Sequence, residues 1–234
     1  MTAPFSGRLV NGWGFARNLL AQGRDPLADP ALLAPFLGQL KGLLGTSVIA
    51  MDLTRFLASE MADASGAEAV EQAIGSEATR RAVQAAGDVV RATALEVCLV
   101  LPGPAGFAAA VGCPDDEDVM DEVGLSLADF VRMAASAGVP GILLSEPGPD
   151  GLDFLGPVFN VAEHNHLDLA IAFGRGGGAT LPSALKHAFG DGLAHPFLQN
   201  EDWQKLTDMA AHEAAYVVIP DDADPDQVQS LLAP

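Results

Sequence analysis

Short apolar runs alternate along this chain with longer stretches of helical periodicity. Three runs are the clearest: Ser47-Val-Ile-Ala-Met-Asp-Leu-Thr54, Leu95-Glu-Val-Cys-Leu-Val-Leu-Pro-Gly-Pro104 and Val139-Pro-Gly-Ile-Leu-Leu-Ser-Glu-Pro147. Each ends in a turn that carries polar or backbone hydrogen-bonding groups, and a helical pattern follows each. Brief, near-continuous apolar runs between helices are the sequence form of parallel strands covered on both faces. In such folds the strand C-termini converge on the ligand site, so Asp52, the turn from Pro102 to Gly106 and Glu146 are the first residues to examine.

The helices are legible in the same way. Leu33, Phe36, Leu37, Leu40 and Leu44 recur at i, i+3, i+4, i+7 and i+11, which predicts a helix over Ala31 to Leu44 closed by Gly45. A helical stretch through Met61 and a second helix from Ser76 to Arg91 follow the first strand. From Asp116 to Ala137, one stripe of Val119, Val123, Leu127, Phe130, Val131 and Ala134 predicts the longest helix. Its first turn is crowded by Asp115, Asp116, Glu117 and Asp118, where the helix dipole favours negative charge, and Gly138 ends it. Phe154 to His166 is predicted helical and Leu167–Phe173 a strand. The later elements are a helix Leu181–Phe189, a short strand Leu193–Phe197, a helix Trp203–Ala214, a strand Ala215–Ile219 and a short terminal helix. In residues 1–30, Trp13, Phe15, Leu19 and Leu20 suggest only a short helix. Six strands in strict alternation with helices leave a (β/α) barrel or an open doubly wound sheet. No linker-like region divides residues 1–234, so one domain is expected.

Composition narrows the partners. The chain has 234 residues, 49% of them hydrophobic, ample for a core. Its 31 acidic and 12 basic residues give a net charge of −19, a field that repels nucleic acid and anionic membrane surfaces. The two cysteines, Cys98 and Cys113, imply no disulfide framework and suit a reducing cytoplasm. No secretory leader is read at the N-terminus. The run from Leu95 to Gly112 is interrupted by Pro102, Gly103, Pro104 and Gly106, so it reads as a strand and turn entering a helix, not a membrane span.

Other chemistry-bearing positions are weaker. Gly174-Arg-Gly-Gly-Gly-Ala179 fits the loose Gly-x-Gly-x-x-Ala pattern, whose glycines let backbone N–H groups approach a phosphate. It comes too late in the chain for a nucleotide-binding half. An anion-receptive loop with Arg175, Gly176 and Gly177, or a plain connection, remains. His164 and His166 would diverge on a helix by its 3.6-residue turn, and they precede a strand instead of following one. The acidic residues beside Cys113 disfavour its thiolate. Asp52 could accept hydrogen bonds from a pyrrole or amine and stabilise developing positive charge, or it could cap the helix that follows. Glu146 could act as a general acid or base, or sit solvated in a loop.

The order of motifs resembles the uroporphyrinogen decarboxylase superfamily, which includes corrinoid-dependent methyltransferases. Asp52-Leu-Thr54 with Gly66-Ala-Glu68 resembles the family's strand-end aspartate and its continuation. Leu101-Pro-Gly-Pro104, with Gly106 and Phe107, is similar to its Gly-Pro turn. Ala137-Gly138 through Gly141-Ile-Leu-Leu-Ser-Glu-Pro147 resembles its "Ala-Gly-Ala-Asp … Ser-Asp-Pro" segment, and Tyr216 to Pro225 its late "Gly-Asn-Leu-Asp-Pro" turn. The resemblance spans roughly residues 31–232 and implies an α/β TIM-type (β/α) barrel, with an incomplete or distorted ring left open by the short chain. It implies a small-molecule ligand at the strand C-termini and lyase (decarboxylase) or methyltransferase chemistry with Asp52 central. Together with the residue readings above, the expected catalytic residues are Asp52 and Glu146, and the expected ligand contacts are Pro104, Gly106, Arg175, Gly176 and Gly177. A homodimer or a corrinoid-protein partner is implied as well. The sequence departs from the pattern in three places. Arg8, Arg17 and Arg24 do not form the N-terminal arginine segment that grips substrate carboxylates in the decarboxylases. Ala110 replaces the tyrosine after the Gly-Pro turn, and Ile171-Ala-Phe173 stands where the methyltransferases place a zinc-binding His-x-Cys. No metal or cofactor is therefore expected. The alternative expectation is a non-catalytic binding or partner-docking member.

Overall fold

The apolar runs become strands in the computed structural model, which describes residues 8–22, 24–46, 48–61, 64–93, 95–148, 150–173, 194–198 and 215–232. Among these, one sheet is built from β1 (Arg8–Asn11), β2 (Val48–Asp52), β3 (Glu96–Pro102), β4 (Gly141–Glu146), β5 (Asp168–Phe173), β6 (Ala194–Leu198) and β7 (Ala215–Val218). All neighbours are parallel, in the order β1-β7-β6-β5-β4-β3-β2. Parallel neighbours need long crossovers, and helices supply those the structure describes. They are α1 (Trp13–Leu20), α2 (Pro30–Leu44), α3 (Thr54–Glu60), α4 (Gly66–Gly75), α5 (Glu77–Thr93), α6 (Pro104–Ala110), α7 (Glu117–Ala137), α8 (Gly156–His164) and α9 (Pro225–Leu232), with a 3₁₀ turn at Asp150–Leu155. The helices expected at 181–189 and 203–214 lie outside the described residues.

Two elements differ from expectation. β1 is a seventh strand, four residues long and beginning with a charge, so it shows no apolar run. α4 is a separate helix whose buried face is mostly alanine (Ala67, Ala69, Val70, Ala73 and Ile74), a stripe too small to stand out by hydropathy.

The helix ends follow local chemistry. Asp29 caps α2 by accepting from the Ala31 N–H at 3.0 Å, Pro30 occupies its first turn, and Gly45 closes it at φ 63°. Asp116 caps α7 by accepting from the Val119 N–H at 3.2 Å, and Gly138 ends it at φ 81°. Gly87 of α5 packs directly on the Ala137 carbonyl of α7, where a Cβ would collide. That contact brings the two helices close.

Alternate strand residues enter two separate apolar clusters. Ile49, Met51, Val97, Leu99, Leu101, Ile142, Leu144, Leu169 and Ile171 pack against the helices. Ala50, Cys98, Val100, Leu143, Ala170 and Ala172 face the other way and cluster with Leu9 and Tyr216. Apolar burial on both faces is why these strands read as continuous hydrophobic runs. Each large side chain buried this way contributes about 1.5–3 kcal/mol. The second cluster joins β1 and β7 to β2 and β3, which stand at opposite ends of the strand order. A hydrogen bond of 2.6 Å from Asn11 Nδ2 of β1 to Asp52 Oδ2 of β2 links the same two ends.

Candidate ligand site at the strand C-termini

Asp52 is the last residue of β2 and shares the inward side with Ala50, two residues earlier. Its Oδ1 accepts from the Thr54 N–H at 2.8 Å, so one oxygen caps the start of α3. The other oxygen faces Asn11, the last residue of β1. Asn11 is 2% exposed, and its Nδ2 also donates to the Tyr216 hydroxyl of β7 at 2.7 Å. Its Oδ1 accepts from the Trp13 N–H at 3.0 Å. That third bond fixes which end of the amide is oxygen, so both amide protons are directed at Asp52 and Tyr216. The Tyr216 hydroxyl is pushed well above its ordinary pKa of 10 by burial, with the Asp52 charge adding to the effect and the Asn11 bond opposing it. Asp52 therefore does two jobs, one as a helix cap and one in a buried polar network.

A cavity of about 90 Å³ opens beside this network, lined among others by Asn11, Trp13, Arg17, Asp52, Phe56 and Asp221. Arg17 and Asp221 come from α1 and from the turn after β7. The Asp221 carboxylate approaches α1 so closely that a Cβ on Gly14 would collide with it. Asp221 also forms an ion pair with Arg55. The Arg55 side chain is 66% exposed, and such pairs contribute little. Arg17 is half-buried, and its Nε lies buried with no hydrogen-bond partner among the described residues.

Glu146 has a different setting. On β4 the inward positions are Leu143 and Ser145, which turns Glu146 outward beneath α6 and the 3₁₀ turn. It is 1% exposed. Its Oε2 accepts from the Gly106 N–H at 3.2 Å, while Oε1 has no partner among the described residues. Gly103 and Gly151 make room for the carboxyl, since a Cβ on either would collide with Oε1. Burial pushes the Glu146 carboxyl up to about 8; the Gly106 and Ala105 N–H groups pull it down, and Asp150 adds to the rise.

The structure thus groups the candidates in two sets. Asp52 lines the cavity with Asn11 and Arg17, residues to which the sequence assigned no role. Pro104 is buried and Gly106 half-buried at the start of α6, around Glu146. Arg175, Gly176 and Gly177 lie outside the described residues. Asn11 gives no sequence signal beyond the pair Leu9-Val10 ahead of a polar residue and Gly12. Arg17 is one position on a short helix. His164 ends α8, and His166 follows it at φ 54°. Among the described residues, no group of three or more His, Cys, Asp or Glu is placed to hold a metal ion. No helix among them is long and apolar enough to cross a membrane.

No protein-family model matches this chain, and no curated protein sequence does. Solved structures do match it. A methyltransferase from Methanosarcina mazei superposes with a TM-score of 0.62 at 10% identity, over 97% of this chain and 93% of that one. At that identity the likeness concerns the path of the backbone. This chain is a mixed α/β protein on a parallel sheet, with the fold of that methyltransferase over nearly its whole length.

Proposed function

We propose that the sheet closes as a (β/α) barrel of the uroporphyrinogen decarboxylase and methyltransferase type, and that the protein binds a small N–H-bearing molecule at the strand C-termini with Asp52 as acceptor. One observation carries the reading: Asn11, Asp52 and Tyr216, from three strands, form a single buried polar network against a cavity. A carboxylate held from two sides is preorganised to receive a donor without reorganising. The full-length likeness to a methyltransferase favours methyl transfer over decarboxylation as the chemistry at this site. A cavity of about 90 Å³ is far below the 300–1,000 Å³ usual for drug-sized ligands, so a tetrapyrrole does not fit it. Titration with methylammonium, followed by NMR, tests the acceptor role. Binding should weaken at least tenfold in Asp52→Asn; equal binding by the two proteins would remove Asp52 from the site.

A second reading, a non-catalytic binding protein, is favoured by β5. Its inward positions near the mouth are Ala170 and Ala172, and Ile171 packs against the helices. These residues offer no imidazole or thiolate and do not fit a zinc ion.

A further inference from the structure

We infer that the groove between α4, α5 and α7 docks a basic amphipathic helix of a partner protein. None of its lining residues lines the cavity beside Asp52, so the inference stands apart from the proposed ligand site.

The groove follows from how the three helices meet. α4 ends at Gly75, the extended backbone of Ser76 turns the chain into α5, and both helices pack on α7. An open trough of about 1400 Å³ is left between them. On α7 its wall includes Glu122, Leu125, Asp129, Met133 and Ala137, whose helical spacing puts them on one face. At a rise of about 1.5 Å per residue that wall is about 22 Å long, the length of a helix of about fifteen residues. Leu125 is 54% exposed, one of two large apolar side chains left so among the described residues. It stands over Ala67, Ile74 and Ala137, which are buried, and Met133, which is half-buried. An apolar strip with a charged rim has the form of an interaction surface.

Charge selects the occupant. Glu68, Glu71 and Glu77 line the side of α4 and α5, and Glu122 and Asp129 the side of α7, so carboxylates stand on both walls. Arg80 and Arg81 line it too, but neither forms an ion pair among the described residues, and Arg81 Nε donates to the Glu77 carbonyl at 3.3 Å. The rim therefore keeps its negative charge. A helix with leucine-like residues on one face and lysine or arginine on its flanks complements both the strip and the rim. Other occupants fit less well. A second copy of the chain would set one net charge of −19 against another. An acidic helix meets the same repulsion, and a bare cation leaves Leu125 and Met133 uncovered.

The test is fluorescence anisotropy of the full chain with a labelled helical peptide of about fifteen residues, leucine along one face and lysine along its flanks. Two controls accompany it: a scrambled peptide of the same composition, and one with glutamate in place of lysine. The amphipathic basic peptide should bind about tenfold or more tightly than either control, and added salt should weaken it. Leu125→Gln should remove that preference by taking away the apolar contact. Glu71→Lys with Glu122→Lys should remove it by reversing one charge on each wall. Asp226→Lys, the same kind of charge change on α9, should leave it intact. All these positions are exposed, and unchanged circular dichroism confirms that the variants fold. No binding, equal binding of the scrambled peptide, or a preference that survives Leu125→Gln would overturn the inference. So would a dimer in light scattering that Leu125→Gln dissociates, because the groove would then belong to a second copy.

Discussion

Replacing Glu146 with glutamine should flatten the pH dependence of this protein's stability. The carboxyl is 1% exposed and has one oxygen without a partner among the described residues, and burial raises it from an ordinary 4.5 to about 8. The folded state therefore keeps the proton between those values, while the unfolded chain releases it. The folded state binds more protons across that window, so stability must fall as pH rises through it. The contribution is fully present below about pH 4.5 and lost above about pH 8. Each pH unit is worth about 1.4 kcal/mol, about 5 kcal/mol across the window in a rigid site. Water entering around an ionised carboxylate lowers that figure, so a loss of about 2–5 kcal/mol is expected, large against a typical total of about 5–15. Urea denaturation at pH 5, 6, 7 and 8, extrapolated linearly to zero denaturant, measures it. Glu146→Gln carries no charge at any of these pH values. Its curve should meet the wild type's near pH 5 and lie above it at pH 8. Parallel curves would show that Glu146 is not held neutral, and would refute the burial argument.

Three further outcomes follow from the packing. Gly87→Ala should cost about 1–3 kcal/mol, because its Cβ meets the Ala137 carbonyl, whereas Gly42→Ala, with nothing within 4 Å, should stabilise α2 by about 0.5–1 kcal/mol; thermal melts of the two variants give the opposite signs. Asp29→Ala removes the α2 cap and should cost about 1 kcal/mol, read from the same melts. Cys98 is fully buried and its thiol is pushed far up by that burial and by Asp168, so iodoacetamide at pH 8 should label it only after denaturation.

Much of the sheet is legible in the sequence because β2 to β5 are buried on both faces and leave unbroken apolar runs. β1 is too short to leave one. With it goes Asn11, the residue that orients Asp52, since a single asparagine in a four-residue strand carries no pattern. Asp52 was visible because it closes an apolar run ahead of a helix; the capping reading describes one oxygen, which accepts from the first turn of α3, while the other joins Asn11. Glu146 was visible for the same reason, yet strand alternation turns it away from the inward side that Asp52 shares. A one-residue difference in parity decides which side of a sheet a side chain occupies. The glycines at 103 and 151 that accommodate its carboxyl are distant from each other in sequence, so the burial could not be read beforehand.

The central claim is that the two ends of the strand order meet, placing Asp52 of β2 against Tyr216 of β7 through Asn11. Tyr216 is the only tyrosine in the chain, so phenolate absorbance near 295 nm reports it alone. In the wild type that absorbance should appear only well above pH 10, and Asp52→Asn should shift it to lower pH by removing a nearby negative charge, with burial keeping it above 10. A Tyr216 titration identical in the two proteins would mean that Asp52 and Tyr216 are not neighbours, and would contradict both the closure of the sheet and the site built on it.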